Sequence, residues 1–79
     1  MRTSTSKTSE VMAKEVWFDR EMMHVRILDG RIISVPLEWL PRLRDAKPEQ
    51  RENWRLIGRG VGIHWPDLDE DISVAALLK

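Results

Sequence analysis

From Lys14 onward the chain alternates apolar and polar side chains in short bursts: Val16 and Phe18, then Met23, Val25 and Ile27, then, beyond Asp29-Gly30, Ile33 and Val35. A period of two marks strands that bury one face, and successive bursts predict a three-strand antiparallel meander. Asp29-Gly30 is the natural turn, because glycine takes the positive φ that a tight reversal demands. A bare two-residue turn sets Ile27 opposite Ile32 and Val25 opposite Ser34. The apolar pattern instead favours Ile27 beside Ile33 and Val25 beside Val35, which predicts one extra residue, a bulge near Arg31.

Beyond Pro36 the period lengthens. Leu37, Leu40 and Leu43 recur every three residues, as on a short helical segment docked on the sheet, and Pro41 divides it into a turn at Leu37 to Leu40 and a helix from Pro41 to Ala46. Pro48 opens a second, charged helix, with Glu49 in its first turn, predicted to end near Arg55. Three glycines between Leu56 and Gly62 argue against helix there. Val61, Ile63 and Trp65 then alternate as a fourth strand. Pro66 stops it, and Asp67, Asp69, Glu70 and Asp71 read as the cap and negative first turn of a carboxy-terminal helix, ISVAALL. The predicted fold is α+β: a small antiparallel sheet, the meander plus a fourth strand, packed with short helices.

Residues 1–13 are mostly Ser, Thr, Lys and Glu, with no apolar period, and read as a disordered tail; residues 14–79 form one domain. A chain of 79 residues has room for a single core. Hydrophobic residues at 42% and charged residues at 33% match a folded domain. Thirteen basic and thirteen acidic residues cancel, so no strong positive potential draws the chain onto phosphate backbones, and direct nucleic-acid binding is not expected. No apolar run approaches the roughly 20 residues of a membrane span, and the amino-terminal RTSTSKTSE is too polar for a signal-peptide core, so the reading is cytoplasmic. The absence of cysteine removes disulfides, thiolate metal sites and thiol nucleophiles together.

Candidate chemistry is sparse. The GRGVG stretch has phosphate-loop spacing but precedes a strand and lacks Gly-Lys-Ser/Thr, so it reads as a bulge or turn where backbones approach closely. His64 precedes the acids Asp67, Asp69, Glu70 and Asp71, but the spacing matches no metal site, and neither metal nor cofactor is expected. His24 has no triad partner visible in the sequence and reads as a cross-strand neighbour rather than a base. No catalytic residue is assigned, and the chain is not expected to be an enzyme.

Four tryptophans, Trp17, Trp39, Trp54 and Trp65, are many for this length, and most suit core and core-rim packing. Trp17 points away from the face that Val16 and Phe18 share, which makes it a candidate contact residue, since tryptophan and arginine are enriched at binding hot spots. Basic residues including Arg42 and Arg44 gather around the middle helices while acids gather toward the carboxy terminus, a charge separation that can steer a partner. The candidate partner-binding residues are therefore Trp17, Arg42, Arg44, Asp67, Asp69, Glu70 and Asp71.

The segments PLEWLPRL and GVGIHWPDLDEDISVAALL, with the DGR strand pair before them, resemble a bacterial family named domain of unknown function twenty-four forty-two, over Lys14 to Lys79. That resemblance implies a compact antiparallel sheet with short helices and no established activity. Members are often encoded beside a second, toxin-like small protein, which implies an antitoxin role. The expected function is a small non-catalytic module that binds and neutralises a protein partner, or pairs as a homodimer. The alternatives are a phage-type inhibitor, of the anti-CRISPR kind, that blocks a nucleic-acid-binding complex through its acidic surface, and a metal-dependent enzyme built on His64 and the same carboxylates.

Overall fold

The computed structural model describes residues 11–78. Its first layer is the expected meander: β1 (Ala13–Phe18), β2 (Met22–Ile27) and β3 (Ile32–Pro36), paired antiparallel in the order β1-β2-β3. Residues 1–10 of the predicted tail lie outside the described residues. Its last three are part of the fold: Ala13 is buried, Val11 packs on the core, and the Met12 carbonyl accepts the Leu28 amide at 2.9 Å.

The register differs from the expectation. Val25 faces Ile33 and Met23 faces Val35, rather than Ile27 facing Ile33 and Val25 facing Val35. The extra residue lies in the turn and not after it. The Ile27 amide bonds the Arg31 carbonyl at 2.8 Å and the Gly30 amide bonds the Ile27 carbonyl at 2.9 Å, leaving Leu28, Asp29 and Gly30 as a three-residue loop with Gly30 at φ 101°. Both registers keep the apolar residues on one face, because they differ by two positions. Hydrophobic pattern cannot separate them, and the turn decides.

Pro36 fits β3 for a reason the ladder supplies. The Ile27–Arg31 and Leu37–Glu21 backbone bonds show that odd positions of β3 turn their polar groups toward β2. Ile32, Ser34 and Pro36 therefore turn theirs to the open edge, where proline's missing amide breaks no ladder bond and blunts strand-to-strand aggregation.

A 3-10 turn (Leu37–Trp39), helix α1 (Pro41–Arg44) and helix α2 (Pro48–Glu52) follow, each shorter than predicted. The Gln50 side chain accepts the Lys47 amide at 2.9 Å at the start of α2, and Asn53 ends it. From Arg55 onward pairing prevails over helix. The second layer comprises β4 (Arg55–Ile57), β5 (Gly62–Trp65) and β6 (Glu70–Ser73), ordered β4-β5-β6. The predicted fourth strand is β5. The predicted carboxy-terminal helix is instead strand β6 followed by a 3-10 turn (Ala75–Leu78), with Ile63 facing Ile72 and His64 facing Asp71. The acids that read as a helix cap form the hairpin loop and strand. Seven residues make a marginal helix, whereas an adjacent strand offers a complete ladder and a buried position for Val74.

Inner faces of both sheets meet in one core: Val16, Met23, Val25 and Val35 from the meander, Leu37 and Leu43 from the helical segment, Ile63, Trp65 and Val74 from the second sheet. Phe18 meets Trp65 edge to face at 6.5 Å, and the Trp65 indole donates to the Arg51 carbonyl at 3.0 Å, tying α2 to β5. The GRGVG stretch makes the close backbone approach expected of it. Gly58, Arg59 and Gly60 all take positive φ, and Gly60 lies directly against the Ala13 backbone.

Candidate functional site

Alternation along β1 to β3 puts a second set of side chains on the outer face of the meander. The row Glu15, Arg26 and Ile32 runs across one side of it, and the row Trp17, His24 and Ser34 runs beside it. Trp17 stands where the sequence placed it, opposite in facing to Val16 and Phe18. Its ring stacks on the His24 imidazole with centroids 5.4 Å apart, and the Arg26 guanidinium lies 5.4 Å from its centroid. Glu15 pairs with Arg26 at 3.2 Å.

His24 is more than a packed neighbour. Its Nε2 lies 2.8 Å from Asp19 Oδ2 and its Nδ1 lies 2.7 Å from Ser34 Oγ, which makes a carboxylate, imidazole and hydroxyl chain across the sheet. Asp19 comes from the β1–β2 turn, where its other oxygen accepts the Glu21 amide at 2.9 Å and the Met22 amide at 2.8 Å. The His24 hydrogen bond, followed by those two amides, lowers the Asp19 pKa to about 2.

A carboxyl whose folded pKa is depressed contributes stability above its unfolded pKa and loses it as pH falls through the folded value. The Asp19 contribution is thus complete at neutral pH and disappears between about pH 4 and about pH 2. Asp19→Asn is expected to flatten the acid limb of stability in that window, read as the urea midpoint against pH. The Asp29 carboxyl, lowered chiefly by the Arg31 amide, and the Asp45 carboxyl, lowered chiefly by Arg44, titrate in both proteins and leave a residual slope. An unchanged slope would show that Asp19 is not so engaged.

The other sequence candidates lie elsewhere and are mostly occupied. Arg42 donates to the Leu68 carbonyl at 2.7 Å and lies 3.5 Å from Glu70, clamping the β5–β6 loop to α1. Asp67 accepts from Asn53 at 3.1 Å, and Asp71 pairs with His64 Nδ1. Asp69 sits in the loop at φ 52°, a conformation that aspartate tolerates better than most residues. Asp67, Glu70 and Asp71 are thus each engaged by a different neighbour. No cluster of three or more metal-ligating side chains occurs among the described residues.

Arg44 pairs with Asp45 at 2.9 Å and borders a cleft of about 310 Å³ where the β1–β2 turn meets the helical segment. Met22, Pro36 and Leu37 line it, with Arg20, Glu21, Glu38 and Arg51. Arg51 is fixed there by the Leu43 and Arg44 carbonyls, each at 2.8 Å, and by the Phe18 ring, 5.9 Å from its guanidinium carbon. It satisfies the free carbonyls at the end of α1.

Sequence reasoning missed the Asp19–His24–Ser34 chain because His24 meets Ser34 only in the observed register. The sequence-derived register places His24 opposite Pro36. The signal that could have found it is the pair of loop lengths, which a three-residue reading of Leu28-Asp29-Gly30 would have supplied.

A small α+β domain of two three-strand sheets, with a polar and aromatic outer face, is thus defined by fold and site. The chain belongs to the family described as protein of unknown function DUF2442, whose model matches residues 13–79. Among solved structures, it is similar to the crystal structure of a protein of unknown function from Rhodospirillum rubrum. That likeness has 28% identity and a TM-score of 0.75, covering 87% of this chain and 86% of the other. No curated protein matches the chain. Among the described residues no helix is long and apolar enough to cross a membrane.

Proposed function

We propose that this chain is a protein-binding module that neutralises a partner in the antitoxin manner, and that the outer face of the meander is the surface it uses. The observation that carries this reading is the position of Trp17. A large indole stands on the solvent side of the sheet, braced by His24 and Arg26, rather than in the core that holds Trp65. A rigid aromatic beside an arginine is the usual composition of an energetic anchor at an interface, since it buries area with little loss of rotamer freedom. The engaged acids give less support to inhibition through an acidic surface, because Arg42, Asn53 and His64 already neutralise or bond three of the four.

The test is copurification with the product of the adjacent gene. Trp17→Ala is expected to lower recovery at least about tenfold, as loss of a hot-spot tryptophan does, while the circular dichroism spectrum and melting curve stay close to wild type. Equal recovery with the folded variant would refute the assignment of this face.

A further inference from the structure

The outer face holds a serine with a base already placed beside it. We propose that Ser34 is an acyl-accepting nucleophile, activated by His24, toward activated esters. This goes beyond the binding reading and does not rest on it: binding is read from partner recovery and acylation from the modification of Ser34 in the isolated chain.

Geometry supplies the parts. With Nε2–H donating to Asp19 Oδ2 at 2.8 Å, the neutral imidazole leaves Nδ1 as an acceptor, and Ser34 Oγ stands 2.7 Å from it, so the serine O–H donates to the ring. Asp19 holds that tautomer and is itself held by two turn amides. Trp17 covers one face of the imidazole and fixes the ring's plane. Ser34 is exposed on the edge strand, and by the alternation of β3 its own amide points to the open edge, where it can face the oxygen of a tetrahedral adduct.

The step balances within these groups. Ser34 Oγ forms a bond to the acyl carbon as its proton passes to His24 Nδ1. The adduct collapses by breaking the bond from carbon to the leaving oxygen, which departs with the proton returned from Nδ1. The products are O-acylated Ser34 and a free alcohol or phenol, with no change of oxidation state. Ser34 is exposed and does not line the cleft bordered by Arg44, so reactivity should follow the activation of the ester.

The probe is p-nitrophenyl acetate, with acetylation located by peptide mass spectrometry on the folded full-length chain. Ser73, exposed on β6 and without a bonded histidine among the described residues, is the internal reference. Acetylation at Ser34 is expected to exceed that at Ser73 at least about tenfold, a modest share of what a positioned general base contributes. The excess should fall to the Ser73 level in His24→Gln and decline in Asp19→Asn. Because both serines sit in one molecule, a change in global stability moves them together and leaves the ratio unaltered. Equal acetylation of the two serines in the wild-type protein, or an excess that survives His24→Gln, would overturn the proposal.

Discussion

Gly60→Ala is expected to abolish cooperative folding at 25 °C. Gly60 is buried at φ 112°, and a Cβ there would run into the carbonyl oxygen of Ala13 and lie 3.0 Å from its nitrogen. The obstacle is backbone of β1, not the far end of a flexible side chain, so relief requires moving the strand that opens the fold. Left-handed strain of about 1–2 kcal/mol and overpacking of about 1–3 kcal/mol act together. A core of this size supplies only about 3–5 kcal/mol in all.

Neighbouring glycines calibrate this result. Gly58→Ala meets the Val61 side chain at 3.1 Å with φ 54°, and should cost about 1–2 kcal/mol because that side chain can yield. Gly62→Ala meets nothing nearer than 3.5 Å and needs no positive φ, so it should change stability by less than about 0.5 kcal/mol. Urea titrations of the three variants should rank Gly62, Gly58, Gly60 in increasing damage. A Gly60→Ala protein melting within a few degrees of wild type would mean that the Gly58–Gly60 turn does not dock on β1.

The same stretch shows what sequence could and could not convey. Close backbone approach was legible at GRGVG, because glycines before a strand have few other uses. The identity of the approached residue, Ala13, was not, because that contact joins distant parts of the chain. The meander was legible because period-two alternation is a local property of each strand. Its register was not, since a shift of two residues preserves the facing of every side chain. That ambiguity concealed the His24–Ser34 contact while leaving Trp17 correctly on the outer face.

Strand β6 was misread for a different physical reason. Asp69, Glu70 and Asp71 favour helix starts and disfavour strands, so local propensity pointed the wrong way. The alternation of Ile72 and Val74 was the only strand signal, and it is too short to prevail in a sequence reading. In the folded chain the β5 ladder and the Val74 burial outweigh that propensity, with the Val74 amide reaching the Val61 carbonyl at 3.0 Å. The candidate acids therefore lie in the β5–β6 loop and at the start of β6 rather than at a helix start, and Arg42, Asn53 and His64 engage three of them.

Trp65→Ala should be the second substitution to unfold the domain, and its mechanism differs from that of Gly60. Trp65 has no exposed surface, and it joins three parts of the molecule: β5, on which it sits; Phe18 of β1, at 6.5 Å; and α2, through the Arg51 carbonyl at 3.0 Å. Truncating a buried tryptophan costs about 3–5 kcal/mol, again close to the whole stability of so small a core. Trp65→Phe is the milder change: it keeps most of the buried area but removes the indole donor and part of the ring, so about 1–3 kcal/mol should be lost. Trp39 gives the opposite extreme, since it is 71% exposed and Trp39→Ala should shift stability by less than about 0.5 kcal/mol. Denaturant midpoints of the three variants read these differences directly. If Trp65→Ala instead kept a cooperative transition within about 1 kcal/mol of wild type, the two sheets would not share the core described here, and the first sheet would have to be stable without the second.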